Sequence, residues 1–362
     1  MLLNRTSLYR ARLRPALVAA LLRVLALGLA RVSWRAAQRC GRGVGALIWW
    51  CGRRDRRRAL HHLELAFPDL PAGERRGLAR ACFRHHGINL AECLHLLGRD
   101  GAALLAVVEF EGWEEVERVV AAGQPLVLVT GHCGNWELLG AAFNCRGLAM
   151  TVVARPLDAA PLQRLLNRFR ERFGTPAVSR GSLRSARQLL SALRCGRALG
   201  MLIDQDTLKV ESVWVPFFGR PARTPVGAVK IALRQQAVVI PTFIERQPDG
   251  RHRIRILPPV ALPPEPQRAT ALLTQAIEQQ VRRCPEQWVW MHRRWRRQPP
   301  PPADAVDDSQ AAPAPPADAT SHPRPQPQSP LPSLGPPAVA PAAPVSAAAH
   351  LAAPRAGNPQ PL

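Results

Sequence analysis

With 362 residues the chain can hold one large core or two domains, and its 49 Lys plus Arg against 26 Asp plus Glu give a net charge of +23. Nearly all the positive charge is arginine, and residues 1–60 alone hold fourteen arginines against one acid, Asp55. A field of that sign attracts nucleic acid, anionic lipid or an acidic carrier without choosing among them; the eight cysteines show no CxxC pair and no zinc-site spacing, and read as reduced thiols.

In chain order, residues 15–30 (PALVAALLRVLALGLA) form an apolar run interrupted by Arg23 and flanked by arginines. As a helix it spans about 24 Å, short of the ~30 Å hydrocarbon core. Three readings fit: a tilted anchor continuing to Trp34, a helix in the interface with snorkelling arginines, or a signal peptide with a faint cleavage site at Gly28-Leu29-Ala30. Arg23 and the lack of paired cysteines weigh against the third. The run Gly43–Trp50 is too short to span and is expected at the interface, so membrane attachment is favoured. Residues 55–97 read as mostly helical. Short apolar runs then predict strands at 126–130, 148–153, 198–203, 213–217 and 237–243, with a polar-alternating strand at 252–257. Helical patterns separate them at 161–173, after the N-cap Ser182 as far as Gly196, at 225–235 and at 268–282. Strands alternating with helices imply an α/β fold, a layered, largely parallel sheet flanked by helices. From about Gln298, Pro, Ala, Ser and Gln dominate, and that tail is expected to be disordered.

In open α/β sheets ligands gather at the carboxyl ends of strands. His132, Arg155 and Asp204 follow three of the predicted strands and therefore fall on one edge. His132 and Glu137 cannot meet on a single helix. They can meet if His132 ends the strand and Glu137 opens the next helix, with Gly131 and Gly134 permitting the bend. An imidazole held by a carboxylate suits proton removal from an attacking hydroxyl. The plain alternative is a loop histidine with a glutamate that complements the helix dipole. Cys133 reads as a small filler rather than a nucleophile. The arginines of 161–173 form either a solvated face or a phosphate-reading surface, and Trp288, Trp290 and Trp295 with their arginines either a lipid anchor or a packed segment.

The stretch GHCGNWE resembles the H-x4-D/E motif of the lysophospholipid acyltransferase superfamily, in the form found in the lipid A late (lauroyl/myristoyl) acyltransferases. The blocks RRDRRRALHHLELAFPDL, VVARPLD, GMLIDQD, VWVPFFGRPARTPVGAVKIA, VVIPTF and EQWVWMHRRW match in order, over about residues 35–297. The resemblance implies a glycerolipid acyltransferase-like fold and transfer of an acyl chain from acyl carrier protein to a hydroxyl of a lipid A precursor or related glycolipid, at the cytoplasmic face of the inner membrane. His132 would be the general base and Glu137 its orienting partner. Asn135, Arg155, Arg170, Arg172 and Asp204 would line the substrate groove, with no metal or organic cofactor and no nucleic acid. Cys133 stands where the family usually has phenylalanine, and the Pro/Ala tail is outside the family pattern. The implied organisation is an N-terminal membrane-associated helix or anchor at 1–34, an acyltransferase domain at 35–297 and a tail at 298–362. A basic membrane or nucleic-acid-binding protein without catalysis is the alternative; the intact His132, Glu137 and flanking glycines favour the enzyme, as does the lack of a nucleic-acid-binding motif.

Overall fold

A computed structural model describes residues 20–157, 159–208 and 210–299. The start of the proposed anchor (1–19) and the tail from residue 300 onward lie outside the described residues. Residues 20–29 are helical (α1) and end in a turn. Ser33 then caps a new helix, its Oγ accepting the Ala36 N–H at 3.3 Å, so no continuous helix runs to Trp34. That helix, α2 (Trp34–Cys51), is followed by α3 (Arg53–Ala66) and α4 (Ala72–Leu96), which fill the region expected to be helical.

Glycine sets the α2–α4 contact. A Cβ on Gly45 would stand 2.3 Å from the Phe83 carbonyl oxygen, and one on Gly87 2.3 Å from that of Gly41. Only hydrogen side chains allow the two helices this close. Leu29 is buried with Ala37, Leu94 and Leu165, so α1 is packed onto the fold.

The α/β part follows as α5 (Gly101–Leu105), β1 (Val108–Glu111), α6 (Trp113–Ala121), β2 (Leu126–Thr130), α7 (Trp136–Cys145), β3 (Met150–Ala154), α8 (Ala160–Arg172), β4 (Ala177–Ser179), α9 (Leu183–Arg194) and β5 (Ala198–Leu202). A hairpin of β6 (Ser212–Phe217) and β7 (Arg220–Pro225) comes next, then α10 (Gly227–Gln235), β8 (Val238–Arg246), β9 (His252–Ile256), α11 (Pro266–Arg283) and a 3-10 turn at Pro285–Gln287.

Seven strands form one sheet in the order β1-β9-β8-β2-β5-β3-β4. Every neighbour is parallel except β8 with β9. The sequence pattern anticipates its centre, β2, β5, β3 and β8. The predicted strand at 213–217 is real but lies outside this sheet, folded back on β7 through Phe218 and Gly219, both at positive φ. β2 shows how the sheet is held. Because side chains alternate along a strand, Val127 and Val129 enter one core with Leu199, Met201 and Phe243. Leu126 and Leu128 enter the other with Met150, Ile240 and Ile244. Burial on both faces explains the unbroken apolar run of β2.

The segment after α11 is packed rather than exposed. Trp288, Trp290 and Arg294 are all 0% accessible. The Arg294 guanidinium lies over the Phe217 ring and donates to the Arg223 carbonyl at 2.7 Å and to Thr224 Oγ1 at 2.6 Å. Of the two readings of these tryptophans, the structure takes the packed one. Among the described residues no helix is long and apolar enough to cross a membrane.

Candidate active site

β2 ends at Thr130, and the chain passes through Gly131, His132, Cys133, Gly134 and Asn135 before α7 begins. Gly134 makes the turn with φ +59°, and a Cβ there would stand 1.9 Å from the Ile244 carbonyl oxygen. No other residue fits. Cys133 is buried; burial raises its thiol pKa well above the usual thiol range, with Asp204 adding to the effect. It is therefore a filler and not a thiolate.

The carboxylate that meets His132 is Asp204, just past the end of the neighbouring parallel strand β5. His132 Nδ1–H donates to Asp204 Oδ1 at 2.6 Å, and the His132 backbone N–H donates to Oδ2 at 2.7 Å. Trp288 Nε1–H donates to the same Oδ2 at 2.8 Å. Burial of Asp204 opposes ionisation, but the electrostatic attraction to His132 and the hydrogen bonds from His132 and Trp288 outweigh it, holding the carboxyl well below the usual carboxylate range. Asp204 stays an acceptor, so the His132 proton sits on Nδ1 and the lone pair on Nε2.

Glu137, expected to orient His132, faces elsewhere. Both its oxygens are taken by Arg170 of α8, whose Nε and Nη2 donate at 2.8 and 2.6 Å. The physical reason is position: His132 Nδ1 faces the end of β5, whereas Glu137, in the first turn of α7, faces the neighbouring helix. The expected convergence of His132 and Asp204 is present in the structure; a His132–Glu137 hydrogen bond is not.

Asn135 is buried, its amide donating to Glu92 Oε2 at 2.9 Å and to the Asn89 carbonyl at 3.3 Å. Arg155 is exposed just past β3; burial first, and then the Arg155 charge, lowers the pKa of Arg180, which follows β4. Arg172 is exposed and donates from Nε to the Arg99 carbonyl at 2.9 Å.

Beneath the loop lies a buried polar network that the sequence did not disclose. Arg246, the last residue of β8, donates to both Glu92 oxygens at 2.9 and 2.8 Å and to Asn89 Oδ1 at 2.5 Å. Asn89 in turn donates to the Gly134 carbonyl at 2.7 Å. Burial penalises the Glu92 charge, but Arg246 and His252 hold its carboxyl well below the usual range. A charge this deep must be paired, and the pairing fixes residues 134 and 135 to α4.

Above the loop, Trp136 meets the His132 ring edge-on at 5.0 Å. The Gln205 amide lies between His132 and His292. Neither Gln205 nor His292 stands out from spacing alone; the signal available was the recurrence of polar residues in GMLIDQD, just past a strand.

An imidazole held through Nδ1 by a buried carboxylate, at the carboxyl edge of a parallel sheet, is equipped to take a proton from a hydroxyl at Nε2. The sequence matches the family described as "Bacterial lipid A biosynthesis acyltransferase" over residues 9–297, most of the chain. The chain belongs to this family. It is an acyltransferase of lipid A biosynthesis type, and the family implies a glycolipid acceptor. It is similar to the lipid A biosynthesis lauroyltransferase of Escherichia coli (strain K12), 28% identical over 72% of this chain and 85% of the relative. The lipid A biosynthesis palmitoleoyltransferase of the same organism is 27% identical over 72% and 84%. A phosphatidylinositol mannoside acyltransferase of Mycobacterium tuberculosis (strain CDC 1551 / Oshkosh) is 32% identical over 36% of this chain and 42% of its own length. Among the described residues of the acyltransferase, no group of three His, Cys, Asp or Glu is arranged to hold a metal ion.

Proposed function

We propose that this acyltransferase moves a fatty acyl chain from the thioester of acyl carrier protein to a hydroxyl of a lipid A precursor or related glycolipid, with His132 as general base. The observation that carries the reading is the 2.6 Å bond between His132 Nδ1 and Asp204 Oδ1, which leaves Nε2 basic. As the acceptor oxygen bonds to the thioester carbonyl carbon, its proton passes to Nε2 and the carbonyl electron pair moves onto oxygen. When that pair returns, the C–S bond breaks and the leaving thiolate recovers the proton from His132. The products are an ester and the free thiol of the carrier. Asp204 stabilises the imidazolium between the two steps. Glu137 acts through Arg170, fixing a guanidinium beside α7; Asn135 holds the loop in place. Arg155, with Arg180 near it, offers the forked donors that match phosphate on the acceptor, and Arg172 extends the basic surface.

The protein works at the cytoplasmic face of the inner membrane. Leu21, Val24 and Leu27 of α1 and Leu47, Ile48 and Trp50 of α2 are exposed, as are Arg35, Arg39 and Arg42 of α2 and Arg53 and Arg54 at the start of α3. Exposed apolar side chains and arginines on these helices suit attachment to an anionic interface. Residues 1–34 extend this attachment, residues 35–297 form the catalytic domain, and 298–362 are a tail.

The test is mass spectrometry of the product after incubating purified protein with acyl carrier protein thioester and a lipid A precursor. The wild type adds one acyl mass to the acceptor; folded His132→Ala does not. Acyl transfer by folded His132→Ala at the wild-type rate overturns the mechanism.

A further inference from the structure

Negative charge develops on the thioester carbonyl oxygen when the hydroxyl adds, and a fixed donor close to the base lowers that barrier. The side-chain nitrogen of Gln205 stands 2.9 Å from His132 Nε2 and 3.2 Å from His132 Nδ1. Near-equal distances to both ring nitrogens put the amide beside the ring, off the in-plane line of the Nε2 lone pair. The lone pair is left to the acceptor hydroxyl, with the amide standing next to it.

His292 holds the amide from the other side. The Gln205 nitrogen is 2.6 Å from His292 Nδ1 and 3.1 Å from His292 Nε2, so it lies against the side of this ring too, and the two imidazoles meet edge-on at 4.9 Å and 84°. Burial first, then the neighbouring His132, keeps the His292 pKa well below its ordinary value, so the ring is neutral and does not repel the amide hydrogens. A primary amide has two N–H donors, and held between the two rings it can aim one of them into the site. The flanking residues fix its backbone. Asp204 is bonded to Trp288, and Asp206 to Arg297. Residues 204, 205 and 206 thus each grip the segment that follows α11.

We propose that Gln205 is a catalytic residue whose side-chain amide donates to the oxyanion formed on the thioester carbonyl oxygen, and that His292 is the positioning residue that aims it. The proposal rests on His132 as the base. Gln205 gives up no proton: the carbonyl electron pair rests on oxygen under its hydrogen bond, then returns as the C–S bond breaks.

Steady-state kinetics of the full-length protein, with acyl carrier protein thioester and a lipid A precursor, test this. Gln205→Ala lowers kcat by about 10²–10³-fold, with both KM values within about threefold. Gln205→Glu keeps the shape but presents a carboxylate to the oxyanion, and is at least as slow. His292→Phe, which keeps a flat ring against the amide, retains more activity than His292→Ala when Gln205 is present, and the two are equal in a Gln205→Ala background; a merely structural His292 gives the same ordering in both backgrounds. If Gln205→Ala does not fold, Gln205→Glu takes its place in both comparisons. A Gln205→Ala or Gln205→Glu enzyme with kcat within about threefold of wild type overturns the proposal and hands the oxyanion to backbone N–H groups at the start of α7. His132→Ala is run alongside. If it is inactive while Gln205→Ala is active, only the oxyanion assignment falls; if it is fully active, the base assignment falls and takes this one with it.

Discussion

His132 and Asp204 are joined twice, once through the imidazole and once through the backbone N–H, so that a single carboxylate fixes both the ring and the loop that carries it. Asparagine at 204 separates the two functions. Its oxygen can keep the backbone and Trp288 bonds, while its amide faces Nδ1 and turns that nitrogen into an acceptor. The imidazole then carries its proton on Nε2 and is no longer a base. Asp204→Asn should lower kcat by about 10³–10⁴-fold with a melting temperature close to wild type. Turnover within tenfold of wild type means that Asp204 does not set the tautomer.

Glu137 and Arg170 give a second prediction. Their side chains are only 10% and 13% accessible and share two hydrogen bonds. Removing either partner strands the other, at a cost of about 3 kcal/mol where the pair is well buried. Glu137→Ala and Arg170→Ala should each destabilise the protein, and the double variant should lose clearly less than the two effects added. Arg170→Lys should restore part of the stability, since lysine supplies the charge without the fork. Additive effects in a thermal double-mutant cycle contradict a functioning pair.

The carboxyl edge of the sheet was legible in the sequence because β2 and β5 are buried on both faces and read as unbroken apolar runs, and β3 as an apolar run broken only by Thr151. That placed His132, Arg155 and Asp204 together. The pairing within the edge was not legible. A spacing of five residues draws attention to Glu137, but the nearest neighbour of His132 comes from residue 204, and only the sheet order β2-β5 brings it there. The Glu92–Arg246 network was hidden for the same reason, its members lying 154 residues apart. β1 and β4 are too short to leave a pattern, and the hairpin strand at 213–217 looks like any apolar run until its partner is known.

Membrane attachment is tested best by a surface substitution. Deleting residues 1–34 would also strip Leu29 from its packing against Leu94 and Leu165, and Trp34 from its 2.9 Å bond to the Gly250 carbonyl. Trp50, 71% accessible, touches none of that. Trp50→Asp should therefore weaken sedimentation with vesicles containing anionic phospholipid, by several-fold if the ring enters the interface, while leaving the melting temperature unchanged. Equal partitioning of variant and wild type would place the contact elsewhere.

The last prediction concerns acid. His62 is 5% accessible, with Nδ1 2.9 Å from the Trp290 carbonyl. Burial, with smaller contributions from His61 and Arg58, outweighs that bond and lowers its pKa from 6.5 to about 4; His86 is lowered to about 4 as well. Between those values the unfolded chain binds protons that the folded chain refuses. The stabilising effect of neutral burial is therefore complete above about pH 6.5, falls as the pH drops, and is gone below about pH 4, amounting to roughly 3 kcal/mol per histidine. Thermal unfolding should show stability declining from about pH 7.5 to 5, with about 2 kcal/mol of the loss due to His62 alone. His62→Gln can still donate to the Trp290 carbonyl but does not titrate, so its stability should fall less steeply across this range. A His62→Gln protein with the same pH slope as wild type would mean that His62 takes up its proton as readily in the folded chain as in the unfolded one.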